Sequence, residues 1–106
     1  MIGKEGIGNV VSDIPGYMER LCRGRTGYEF IPKKKNALNL EALANRLELN
    51  NIAVEANTPH LLIVKANGIS VSVFASGKLI VKDVESKEGA EKIAAELIKI
   101  IAERGA

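Results

Sequence analysis

The residues that could support catalysis are few in this chain and lie far apart. His60 is the only histidine and Cys22 the only cysteine, so the sequence holds no Cys/His cluster with the spacing of a zinc site. Cys22 lies between Arg20 and Arg23, and basic neighbours favour a reactive thiolate. The alternative for Cys22 is a half-buried, inert thiol at the end of an amphipathic helix, and we predict His60 to be a surface residue.

Acidic side chains and glycines add no catalytic motif. Four glutamates near the last predicted helix fall on or near its exposed side, where solvation explains them: Glu85, Glu88, Glu91 and Glu96. Gly6 and Gly8 do not form a phosphate-binding loop, because no strand precedes them and no Lys/Ser pair follows. The sequence therefore predicts a protein that is not an enzyme, with no catalytic residue, no cofactor and no metal.

Composition indicates one ordinary folded domain with a basic front. The chain has 106 residues, 46% of them hydrophobic and 26% charged, and its net charge is +2. Residues 1–35 carry a net charge of +3 and residues 36–106 a net charge of −1. The excess positive charge of residues 1–35 could bind phosphates or an acidic partner, or these residues could simply form a solvated edge. The basic patch comprises Arg20, Arg23, Arg25, Lys33, Lys34 and Lys35.

Other bulk features bear on partners and location. Aromatic residues make up 4% of the chain and tryptophan is absent, which argues against a platform that stacks several bases. A single cysteine excludes an internal disulfide and suits a reducing compartment. No apolar stretch approaches the length of a membrane span, which is about 18 residues or more. We therefore predict a cytoplasmic protein that does not contact a membrane.

Periodicity and caps predict three helices. Apolar residues recur at helical spacing from residue 13 to residue 22, after Asp13 as a cap, and predict an N-terminal helix. A second stripe runs over residues 40–47 behind Asn39 as a cap. The third helix begins after Ser86, and its apolar positions continue to Ile101. This last helix must bury its stripe on a large apolar surface.

Five strands are predicted, over residues 28–31, 52–56, 61–66, 69–75 and 78–84. Asn67 and Gly68 lie between two of them, and this dipeptide is typical of a tight hairpin. The fold class predicted is α+β: a curved antiparallel sheet of about five strands with helices packed on one face, plus the N-terminal helix. Residues 1–27 are predicted as an N-terminal arm and helix, and residues 28–106 as the α+β domain.

Alternation along the strands predicts which side of the sheet faces the helices. Val71 and Val73 in one strand and Leu79 and Val81 in the next are expected in the core. Their neighbours then point away from the helices, and an apolar surface of that kind usually implies a partner. The predicted macromolecule-binding residues on this side are Ile63, Lys65, Ser70, Ser72, Phe74, Lys78, Ile80 and Lys82.

Residues 73–91, VFASGKLIVKDVESKEGAE, resemble a segment of the TATA-box-binding protein family. The shared pattern is an apolar strand ending in Phe, a small-Ser-Gly-Lys hairpin, a second apolar strand and an acidic helix start. With the order of the elements, the resemblance spans about residues 28–103. It implies a single repeat of a fold in which two repeats form a saddle that enters the DNA minor groove, with phenylalanines inserted between base steps.

Some residues of this chain match positions that the family uses to bind DNA, and others depart from them. Phe74 matches one inserted phenylalanine and Lys78 matches the hairpin lysine. The second phenylalanine is expected near Thr58 and Pro59, where none stands, and Lys82 occupies a position that is a small threonine in the family. One repeat is present, so a saddle would need two chains. Half-saddle domains also resemble accessory modules of certain ribonucleases H and DNA glycosylases.

Two hypotheses for function follow. The first is a non-catalytic module that binds a macromolecule through its sheet face, self-associates as a homodimer, and serves protein interaction or architecture. The alternative is a homodimer that binds double-stranded DNA in the minor groove. The low net charge favours the first, because non-specific affinity for DNA depends on neutralising phosphates.

Overall fold

The computed structural model describes residues 14, 16–21, 27–34, 37–84 and 86–102. These residues contain one antiparallel sheet and two helices. In space the strands follow the order β1-β2-β6-β5-β4-β3, so β1 and β3 form the two edges. The elements along the chain are β1 (Tyr17–Leu21), β2 (Gly27–Pro32), α1 (Leu40–Leu49), β3 (Ala53–Asn57), β4 (Leu61–Ala66), β5 (Ile69–Phe74), β6 (Leu79–Lys82) and α2 (Lys87–Ala102).

Tight turns join the four strands from β3 to β6 into a meander. Asn67 and Gly68 adopt φ angles of 52° and 80°, the left-handed conformation that a two-residue hairpin requires. Gly77 adopts φ 98° where the chain reverses between β5 and β6, and the Phe74 amide donates to the Lys78 carbonyl at 2.9 Å. The predicted hairpins are therefore confirmed.

Both helices begin at the predicted caps. The Asn39 side chain accepts a hydrogen bond from the Ala42 amide at 3.0 Å, and the Ser86 hydroxyl accepts one from the Gly89 amide at 3.0 Å. Each cap satisfies an amide that would otherwise lack an acceptor in the first turn. Neither helix is long and apolar enough to cross a bilayer.

The core lies between the two helices and one face of the sheet. Val71, Val73, Leu79 and Val81 are at most 1% exposed, as their alternation predicts. The helices cover them with apolar stripes in which Leu43, Leu47, Ala90, Ala94 and Leu97 are at most 5% exposed. The α+β fold, with helices on one face of an antiparallel sheet, is thereby confirmed.

The predicted N-terminal helix is wrong over the described part of its range. Residues 17–21 instead form β1, which pairs with β2 from Tyr17 opposite Pro32 to Leu21 opposite Tyr28. Burial alternates along β1, with Tyr17 and Glu19 buried and Met18 exposed. The open side of β2 supplies partners for a ladder, and this tertiary pairing overrides the helical spacing of the apolar residues. Within the described residues the sheet therefore has six strands rather than about five.

The remaining N-terminal predictions cannot be placed. Asp13, Pro15 and Cys22 lie outside the described residues, as do Arg23, Arg25 and Lys35. The division of the chain between residues 27 and 28 stays a prediction, although it falls inside β2, which pairs with β1 in the same sheet.

Candidate macromolecule-binding face

The outer face is the side of the sheet that points away from α1 and α2. Seven of the eight predicted sheet-face residues lie in β4, β5 and β6, and Lys78 lies in the turn just before β6. Three of these residues lie side by side in a central row across the face, because Ile63 pairs with Ser72 and Ser72 pairs with Ile80. Lys65 pairs with Ser70 in the adjacent row. The structure therefore brings the predicted residues together on one side of the sheet, although Ser72 is buried there at 8% exposure.

Partly exposed apolar side chains occupy one end of the outer face. Phe74 pairs with Leu61 across β5 and β4, and Ile31 pairs with Met18 across β2 and β1. Met18 is 46% exposed. The correction of the first helix to a strand thus adds a residue to this surface that sequence reasoning had assigned to a helix.

Glu29 binds two cations of the outer face. Its carboxylate accepts hydrogen bonds from Arg20 at 3.1 Å (Nε) and 3.0 Å (Nη2), and the Lys78 ammonium lies 3.2 Å from its other oxygen. The same ammonium lies 4.9 Å from the centroid of the Phe74 ring, within the range of a cation–π contact. We call Glu29, Arg20, Lys78 and Phe74 the Glu29 cluster.

Electrostatics keep Glu29 ionised. Burial raises the pKa of its carboxyl, but hydrogen bonds from Arg20 and Lys78 and their positive charges outweigh burial, so the pKa lies below its ordinary value. Sequence reasoning missed this residue. Alternation in β2 could have found it, because Phe30 is fully buried and its neighbour must therefore point outward.

The other two cations of the outer face differ in their pairing. Lys65 lies 3.6 Å from Glu55, and both side chains are nearly half exposed. Lys82 is exposed and forms no ion pair with any residue that the structure describes. Of the four described cations placed on this face, Arg20, Lys65 and Lys78 are paired with Glu29 or Glu55, and Lys82 is not.

The predicted basic patch is only partly described. Arg20 belongs to the Glu29 cluster, while Lys33 and Lys34 are exposed just after β2. Arg20 pairs with Glu29, four residues before Lys33, which corresponds to about 13 Å along a strand. The described members of the patch therefore do not form one tight cluster.

Glu91 is mostly buried, whereas the sequence predicts a solvated side chain. Its side chain is 14% exposed, and Lys87 donates to it at 2.9 Å. Lys87 also lies 3.9 Å from the buried Glu19 of β1. Burial raises the pKa of Glu91, but a hydrogen bond with Glu19 and the Lys87 ammonium outweigh burial and lower it. This cluster ties α2 to β1 on the helix side of the sheet.

The structure describes only some of the residues considered for catalysis. His60 is exposed in the connection between β3 and β4, and its carbonyl accepts from the Ala75 amide at 3.2 Å. Across the described ranges, no three His, Cys, Asp or Glu side chains are placed to hold a metal ion. Cys22 lies outside those ranges.

The described residues form a half-saddle: an open antiparallel sheet is backed by two helices on one face, and no described residue covers the other face. A family model described as "Transcription factor TFIID (or TATA-binding protein, TBP)" matches residues 33–104. Because this match covers well over half of the chain, the chain belongs to that family. The predicted resemblance is confirmed, and with it an architecture related to DNA binding and transcription.

The other comparisons add no relatives. Neither the curated proteins nor the solved structures give a significant match to the chain. The matched region begins at residue 33, so β1 and β2 precede it.

Proposed function

We propose that this chain is a non-catalytic module that binds double-stranded DNA in the minor groove through its outer face, acting as two copies. The observation that carries the proposal is membership of a family of non-enzymatic DNA-binding proteins. The cytoplasmic location expected from the sequence remains a prediction.

The composition of the outer face supports this choice. Proteins that bind the minor groove combine basic and polar side chains with apolar residues that wedge between base steps. Phe74 and Leu61 would supply the wedge at one end of the face, and Lys82, which has no described ion-pair partner, would contact phosphates at the other. Ser70, next to Lys65 in the sheet, would offer a hydroxyl to the groove.

Two copies are proposed because one chain offers a short surface. In the fold that the chain resembles, two repeats make the saddle, and one repeat accounts for the matched residues. A homodimer would double the cations and the wedge residues along the duplex. It would also match the approximate twofold symmetry of DNA.

A protein partner is the second candidate, with an interaction or architectural role. It is favoured by the ion pairs of the outer face, because Glu29 and Glu55 already neutralise three of its four described cations. What then remains is an apolar surface, formed by Ile63 and Ile80 in the centre of the face and by Phe74 at one end. Such a surface suits a protein interface better than a polyanion.

A duplex titration at two salt concentrations separates the candidates. DNA binding predicts an affinity that falls steeply with salt and that is reduced in both Phe74→Ala and Lys82→Glu. Lys92→Glu is the matched control for the charge change, because Lys92 is exposed on α2, on the other side of the sheet. Light scattering on the same samples reports whether the protein is a dimer.

Two results would count against DNA binding through the outer face. Equal loss of affinity in Lys82→Glu and Lys92→Glu would mean that the outer face is not the DNA site. If no duplex binding occurs even at low salt, while Phe74→Ala disrupts self-association or partner capture, the protein-interaction role is supported instead.

A further inference from the structure

A second candidate site lies on the helix side of the sheet, away from the outer face. A cavity of about 510 Å³ opens between α1, α2 and the start of β1. Leu38, Leu43, Ile98 and Ile101 supply apolar walls, and Tyr17 and Arg46 supply polar groups. Cavities that bind small molecules span roughly 300 to 1,000 Å³ and combine apolar walls with a few convergent polar groups.

Arg46 gives the cavity its chemical preference. Its Nε atom is buried and has no hydrogen-bond partner, and no ion pair joins Arg46 to a residue of the described chain. Arg46 as a whole is half-buried; leaving its buried N–H without an acceptor is costly, and the positive charge attracts an anion. Among the described lining residues none is acidic, so no described residue of the cavity wall compensates the positive charge.

Tyr17 adds a second polar contact. The residue is 8% exposed, and burial raises the pKa of its hydroxyl, which therefore stays protonated and able to donate. Asn39 also lines the cavity, but its side-chain oxygen is already used to cap α1. The Tyr17 hydroxyl and the Arg46 guanidinium are therefore the groups that could donate to a ligand, and the walls around them are apolar.

We propose that this cavity binds a small organic anion: a monocarboxylate, or a similar acid, with an apolar body. The acid group would accept from Arg46 and Tyr17, and the apolar body would contact the leucine and isoleucine side chains. A ligand held here would bridge α1, α2 and β1. The proposal stands apart from the DNA proposal, because the two sites lie on opposite sides of the sheet.

Octanoate and 1-octanol test the proposal on the full chain, because they share an apolar body and differ in charge. Binding is followed by amide chemical shifts and by titration calorimetry. We expect saturable octanoate binding that shifts residues of α1 and α2 around the cavity, and much weaker binding of octanol. Hydrogen bonds to a charged group justify an expected loss of about tenfold or more in octanoate affinity for Arg46→Met.

Two further variants keep the result interpretable. Lys92→Met removes an exposed cation of α2 that does not line the cavity, and should bind octanoate like the parent chain. Ala42→Leu places a larger side chain at the cavity wall and should weaken octanoate and octanol alike. Equal octanoate affinity in Arg46→Met and the parent chain would overturn the proposal, as would equal affinities of the parent chain for octanoate and octanol, or no saturable octanoate binding.

Discussion

Glu29→Gln tests whether the cations of the Glu29 cluster contact DNA. In the free chain Glu29 holds Arg20 and Lys78 at 3.0 and 3.2 Å. A duplex that uses these cations must bring phosphates close to the Glu29 carboxylate. Glutamine has nearly the same shape but no charge, so the substitution removes the repulsion while preserving the surface. We therefore predict that Glu29→Gln binds duplex DNA more tightly than the parent chain.

The size of the effect follows from the distances. A phosphate oxygen contacting the Lys78 ammonium would lie about 6 Å from the carboxylate on its other side. The repulsion at this separation is about 0.7 kcal/mol in water and about 2.8 kcal/mol at an effective dielectric constant of 20. The affinity should therefore rise by between about threefold and about a hundredfold. Releasing two cations should also steepen the slope of log affinity against log salt by up to about 1.8 per chain.

Fluorescence anisotropy of a labelled duplex, recorded from about 50 to about 200 mM salt, measures both quantities. Glu96→Gln is the matched control, because it makes the same change in net charge at an exposed position of α2. Folding should be little affected, since ion pairs with exposed partners contribute about 1 kcal/mol or less. The reasoning is refuted if the two variants bind equally, or if Glu29→Gln binds more weakly than the parent chain.

Three predictions concern the fold. Leu79→Ala should lower the free energy of unfolding by about 2 to 5 kcal/mol in urea denaturation, because Leu79 is fully buried. Leu49→Ala is the control: its position is 82% exposed, and the free energy of unfolding should change by less than about 0.5 kcal/mol. Gly68→Ala should cost about 1 to 2 kcal/mol, because φ is 80° there although space is open; an unchanged urea midpoint would contradict this. Because the pKa of Glu29 is lowered, its ion pairs stabilise the fold fully above its ordinary pKa of 4.5, and this stabilisation is lost as pH falls through the lowered pKa. Urea denaturation from about pH 6 to about pH 3 should therefore show a smaller loss of unfolding free energy in Glu29→Gln than in the parent chain. Equal losses in the two proteins would argue against the ion pairs.

Local sequence signals identified both long helices and the strand faces. Asn39 and Ser86 cap helices wherever their side chains reach the first-turn amides, and Asn67 with Gly68 favours positive φ without help from distant residues. Period-2 alternation assigned Val71 and Val73 to the core and Phe74 to the outer face, because one face of the sheet must be apolar. The family match rests on this same region of the chain.

Long-range pairing decided what these signals could not. The apolar residues between Ile14 and Leu21 have helical spacing, yet Tyr17–Leu21 form β1 because the open side of β2 offers hydrogen-bond partners. The same pairing places Arg20 opposite Glu29, and the turn before β6 brings Lys78 to the other carboxylate oxygen. The cavity at Arg46 likewise arises from helix ends more than 50 residues apart along the chain.

The caps, the turns and the two faces of the sheet could therefore be predicted, because each depends on neighbours only a few residues away. The sixth strand, the Glu29 cluster and the cavity lined by Arg46 could not, because each forms where distant parts of the chain meet. Their energies depend on which strand edge, charge or helix end lies nearby in space, and residue spacing along a chain does not specify that proximity.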